Sequence, residues 1–86
     1  MYLNKNILDI DENQIKIMMF VKEWSNVQKT PTPQKEIIKH AVSIGIKSYN
    51  AVYSIHALIE KGYIRKAYSE QQNRTYYVMC RNITTE

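Results

Sequence analysis

The chain has 86 residues, 44% of them apolar and 23% charged; that length holds one domain with one modest core, and the balance excludes disordered, collagen-like and fibrous chains. One cysteine, two histidines and two glycines exclude a disulfide scaffold, a zinc finger and a glycine-rich phosphate loop. The net charge of +4 is unevenly spread: residues 1–26 sum to −1, residues 27–81 hold nine Lys or Arg against three Glu and sum to +6, and Glu86 supplies the last −1, so the basic two-thirds either faces a polyanion or is a solvated basic surface.

Residues 1–9 read as an arm carrying Tyr2, Leu3, Ile7 and Leu8, and residues 10–81 as the folded domain. The first helix signal is Asp11-Glu12-Asn13-Gln14, with Asp11 as the cap, Gln14 completing a capping box and Ile10 against Ile15 as a hydrophobic staple. This predicts a first helix from about Glu12 to Ser25. On a helical wheel Ile15, Met18 and Met19 fall on one side and Ile17, Phe20, Val21 and Trp24 on the other. A small domain does not bury both sides of one helix by itself, so the second side is expected to be covered by the arm or by another copy. The dimer version places Leu3, Ile7, Phe20 and Trp24 in the interface, while Met18 and Met19 read as adaptable core filler.

Lys29-Thr30-Pro31-Thr32-Pro33 forces an extended break. Thr32 is expected to cap a second helix with Pro33 in its first position and Glu36 in its first turn, burying Ile37, Ile38, Ala41, Val42 and Ile44 and ending at Gly45 in left-handed geometry. Ser48 is expected to cap a third helix that runs to about Lys61 and closes at Gly62. Its buried side is Ala51, Val52, Ile55, Leu58 and Ile59; the opposite side is Tyr49, Asn50, Tyr53, Ala57, Glu60 and Lys61, with Ser54 beside it. Two β-rich runs follow, Tyr63 to Tyr68 and Arg74 to Cys80, joined by a polar loop in which Asn73 suits positive φ. Residues 82–86 read as a tail.

The fold class is thus mainly α with a small β-hairpin wing: three helices and a two- or three-stranded sheet. Two stretches carry a resemblance. Thr30-Pro31-Thr32-Pro33-Gln34-Lys35-Glu36-Ile37 looks like the entry to the second helix of LexA-type winged helix-turn-helix DNA-binding domains, and Ile55-His56-Ala57-Leu58-Ile59-Glu60-Lys61-Gly62-Tyr63-Ile64-Arg65 resembles the end of their recognition helix and the turn into the wing. The resemblance spans roughly residues 10–80 and implies a DNA-binding protein that uses its third helix and its wing. The chain departs from that family in a turn apolar at both Ile44 and Ile46, and in a recognition face of Tyr49, Asn50 and Tyr53.

On such a face Asn50 is the side chain able to make the paired hydrogen bonds to adenine, with Lys47 and Lys61 at phosphate-contact positions. Arg65, Lys66 and Arg74 on the wing suit phosphates or the minor groove, or else protect the hairpin edge from strand addition. Tyrosines interleaved with cations also suit a single strand, whose bases stack on rings regardless of sequence; Tyr49, Tyr53, Tyr68 and Tyr76 or Tyr77 are the stacking candidates, and Tyr63 reads as core. Three functions stay open: a duplex-binding regulator or replication accessory factor of a mobile element, a sequence-independent single-strand binder, and a protein-interaction module of the same fold. The longest apolar run, Ile17 to Val21, is far below the ~20 residues of a membrane span, the start MYLNKN lacks a signal-peptide core, and no Ser, His and acid stand at nucleophile spacing. The expectation is a cytoplasmic protein, not an enzyme, with no cofactor, metal or membrane partner. His40 and His56 read as helix-surface residues and Cys80 as a small packed one.

Overall fold

The Asp11 carboxylate accepts a hydrogen bond from the Gln14 amide at 2.8 Å and so starts α1 (Glu12–Gln28). These and the following details come from a computed structural model that describes residues 10–69 and 74–80, the side chains at 68 and 69 excepted. The arm at 1–9 with Leu3 and Ile7, the loop residue Asn73 and the tail at 82–86 lie outside the described residues. The Gln14 side chain does not close a capping box on the backbone of Asp11; its Nε2 donates to the Asp11 carboxylate at 3.4 Å, and its Oε1 accepts from Lys61 at 3.1 Å.

α1 runs three residues past the expected Ser25, because nothing before Thr30-Pro31 opposes helical geometry. It stops at Lys29, whose φ of 61° is left-handed and whose amide still donates to the Ser25 carbonyl. Thr32 and Pro33 then form β1. Thr32 is therefore not the cap of the next helix: it is fully buried, pairs with Tyr77 across the sheet, and donates its hydroxyl to the Val21 carbonyl at 3.4 Å. Pro33 occupies the cap position of α2 (Gln34–Ser43), where it supplies no side-chain hydrogen bond. Likewise Lys47, not Ser48, precedes the first residue of α3 (Ser48–Glu60), again with no side-chain cap.

Between α2 and α3 the backbone folds back on itself, with the Ile46 amide on the Ala41 carbonyl at 2.9 Å. Of the two isoleucines in this turn, Ile46 plugs into the core and Ile44 is 41% exposed, so Ile44 does not extend the buried stripe of α2. Gly45 at φ 95° and Gly62 at φ 84° take the left-handed positions that follow α2 and α3, and no neighbour crowds either of them. Backbone conformation, not space, calls for glycine there.

β2 (Ile64–Ser69) and β3 (Arg74–Met79) form an antiparallel hairpin, and β1 adds on the far side of β3 to give the order β1-β3-β2. The sequence α1-β1-α2-α3-β2-β3 is the winged helix-turn-helix arrangement. Its core draws Ile17 and Val21 from α1, Ile37 and Ala41 from α2, Ala51, Ile55 and Leu58 from α3, and Ile64 and Tyr77 from the sheet. Ser54, expected beside the outer face of α3, is buried within it. Among the described residues no helix is long and apolar enough to cross a membrane.

Candidate nucleic-acid interface

The outer face of α3 is built by helical spacing alone. Residues 49, 53 and 56 recur at intervals of four and three, and so line up over two turns with Asn50 alongside. Tyr49 is 67% and Tyr53 69% exposed, and Asn50 and His56 are exposed as well. Among the described residues no other element covers these rings. Lys47 stands at the N-terminal end of the same helix, also exposed.

Register sorts the wing residues. Arg65 pairs with Val78, Ala67 with Tyr76 and Ser69 with Arg74; directly opposed residues of an antiparallel pair share a face, so Arg65, Tyr76 and Arg74 stand on the outer face of the hairpin. Lys66 pairs with Tyr77 and takes the other face, the one that carries the core residues Ile64 and Tyr77. The three expected wing cations therefore do not act from one side. Tyr76 stands between Ala67 on β2 and Pro33 on β1, diagonal to Arg65 and two residues from Arg74, so an aromatic ring is interleaved with two guanidinium groups. Tyr68 pairs with Thr75, but its side chain lies outside the described residues.

Tyr77 is structural. Its hydroxyl donates to Gln34 Oε1 at 2.7 Å, tying the central strand to the first residue of α2, and burial raises its pKa above 10.0. Tyr63 is half-buried against the core. Lys61 is drawn away from the interface: its ammonium reaches Gln14 at the start of α1, about 20 Å along the axis of α3 from Lys47. Lys47, Arg65, Lys66 and Arg74 have no carboxylate within ion-pair distance among the described residues, where Lys16 pairs with Glu12 on α1 at 3.3 Å.

The Phe20 and Trp24 side of α1 is partly covered within the chain. Phe20 is half-buried and stacks on His40 of α2 with ring centroids 4.3 Å apart and 11° between planes. Trp24 donates its indole N–H to the Thr30 hydroxyl at 3.3 Å and tilts against Phe20 at 6.0 Å. His40 is thus a packing residue, not a free surface one. What α1 leaves open is Met19 at 60% and Val27 at 67%.

Sequence reasoning missed one juxtaposition, a cleft of about 340 Å³ where Lys35 and Glu36 at the start of α2 meet Arg74 and Thr75 of β3. Lys35 was visible as a first-turn residue, but the pairing of β1 with β3 that brings Arg74 to it was not. Among the described residues no group of three His, Cys, Asp or Glu is placed to hold a metal. Comparison of the chain with family models, with curated proteins and with solved structures finds no match in any of the three.

Proposed function

We propose that this protein binds DNA as a winged helix-turn-helix module, with α3 in the major groove and the outer face of the hairpin on the backbone. The observation that carries this reading is the outer face of α3, where Tyr49, Asn50 and Tyr53 stand in water behind Lys47. Asn50 is the side chain there able to pair with an adenine edge, the tyrosine rings suit the thymine methyl, and Lys47 suits a phosphate. Arg65 and Arg74, without carboxylate partners among the described residues, add phosphate contacts from the wing. The reading puts the site of action in the cytoplasm, with the nucleic acid.

One observation favours a second reading. Two tyrosines, each about two-thirds exposed and four residues apart on one helix, make a platform for unpaired bases. Fluorescence anisotropy with matched single- and double-stranded oligonucleotides over a salt series separates the two. The duplex reading expects tighter duplex binding with a log–log salt slope of about −0.9 per phosphate contact, against about −0.7 on single strands. Preference for single strands moves the assignment to the stacking platform. No binding of either at low salt makes the module a protein-interaction domain, for which the exposed Val42 and Ile44 would be the contact surface.

A further inference from the structure

Helix α3 contains neither Arg nor Lys between Ser48 and Glu60. Arg or Lys on guanine O6 and N7 is the commonest base-specific contact in a major groove, so this helix lacks the usual reader of G·C. The nearby cations lie elsewhere: Lys47 precedes the helix in extended backbone, the Lys61 ammonium is held by Gln14, and Arg65 and Arg74 belong to the hairpin. Given the duplex reading proposed above, on which this rests, we infer that the outer face of α3 selects A·T pairs, by the adenine edge and the thymine methyl group together, and that its ligand is an A·T-rich duplex.

The groups on the face match the two halves of that pair. The Asn50 carboxamide holds a donor and an acceptor in one plane, as adenine N7 and N6 require. Tyr49 and Tyr53, both largely exposed, offer ring surface to the thymine methyl, which cytosine lacks. Asn50 stands about 1.5 Å from Tyr49 along the helix axis, whereas stacked base pairs are about 3.4 Å apart. Amide and ring thus meet the duplex at one level.

Charge sets which end of the helix enters. The N-terminal end has Lys47 beside it, no acidic residue in its first turn and no side-chain cap, and it is the positive end of the helix dipole. The far end carries the exposed Glu60, whose carboxylate is repelled by phosphates. Glu60 can accept from cytosine N4 and His56 can hydrogen-bond guanine, but they lie about 15 and 9 Å beyond Asn50 along the axis, towards the repelled end. Base reading is left to Tyr49, Asn50 and Tyr53.

The test is a competition for the full chain at fixed salt, read by fluorescence anisotropy, among four duplexes of matched length: alternating A·T, the same with uracil for thymine, alternating inosine·cytosine and alternating G·C. Uracil deletes the thymine methyl. Inosine·cytosine shows the major groove of G·C with the minor groove of A·T, because inosine lacks the guanine 2-amino group. The expected order has A·T tightest, the uracil duplex about fourfold weaker for each methyl contacted, and the inosine and guanine duplexes alike and about 5- to 150-fold weaker. Asn50→Ala should weaken A·T binding and leave G·C unchanged, and Tyr49→Ala with Tyr53→Ala should make thymine and uracil equal. All three side chains are exposed, so these variants fold. Inosine·cytosine bound as tightly as A·T means selection from the minor groove and overturns the inference. Equal binding of A·T and G·C overturns it too, and in both cases duplex binding itself stands. No binding of any duplex, down to low salt, overturns the duplex reading along with it.

Discussion

Helices α1 and α3 pack against each other and each carries large side chains on more than one side, yet the fold treats them differently. On α1 the core side is Ile17 and Val21, and a second side, Phe20 and Trp24, is partly covered by His40 from α2 and by Thr30 from the segment that follows. On α3 the core side is Ala51, Ile55 and Leu58, and the side bearing Tyr49 and Tyr53 is exposed, with no described element laid over it. In a domain this small apolar surface is closed where the chain happens to return and stays in water elsewhere. The residue types follow: the closed side of α1 holds Phe and Trp, while the open face of α3 holds tyrosines, whose hydroxyls accept water at the ring edge. The aromatic side chains of α3 stand exposed, whereas the aromatic side chains of α1 are packed against neighbouring segments.

The sharpest way to break this comparison is to empty the core sides, where the two helices should behave alike. Ile17→Ala and Leu58→Ala each remove a fully buried side chain and are expected to cost about 2–5 kcal/mol in denaturant unfolding. A loss under about 1 kcal/mol at either site would mean that its helix does not share the common core.

The second sides should then diverge. Phe20→Ala removes a half-buried ring and its stack on His40, at an expected cost of about 1–3 kcal/mol of stability. Tyr53→Ala should leave stability within about 0.5 kcal/mol and instead weaken nucleic-acid binding. On single strands the loss should be about 1–3 kcal/mol with Phe nearly neutral; on duplexes the comparable loss should follow Asn50→Ala, confined to one A·T position. Equal effects of Phe20→Ala and Tyr53→Ala on stability would erase the distinction between the two faces.

The caps sharpen it further. Asp11 caps α1, so Asp11→Ala should destabilise by about 1 kcal/mol. α3 begins at Lys47 with no side-chain cap, so Lys47→Asp should raise the melting temperature while weakening nucleic-acid binding, the expected signature of a position kept for contact at the expense of helix stability.

The smallest effect concerns the central strand of the sheet, against which α1 packs. Tyr77 has its pKa raised by burial above 10.0; a raised folded-state value means that its contribution to stability is fully present below about pH 10 and is lost as pH rises through the native value. Tyr77→Phe also gives up the hydrogen bond to Gln34, about 1 kcal/mol at neutral pH. Unfolding midpoints measured from pH 8 upward should fall less steeply for the variant than for the parent chain, and parallel curves would refute the assignment.

How far the sequence alone reached can be read from single residues. Asp11 as a cap, the stop at Thr30-Pro31, the left-handed Gly45 and Gly62, the buried Ile55 and Leu58 and the exposed Tyr49 and Tyr53 follow from spacing and backbone preference, which act over three or four residues, and they determine the three helices, the hairpin and the outer face of α3. Tertiary structure decided the rest, because each remaining case turns on a partner far away in the chain. Thr32 became a buried strand residue once Tyr77 paired with it, and Lys61 left the interface when Gln14 took its ammonium. Phe20 gained a stacking partner in His40, and Lys66 parted from Arg65 and Arg74 when register assigned it to the core-facing side of the hairpin. Local rules fix what a segment is; long-range pairing, which no window of sequence contains, fixes which of its faces remain for function.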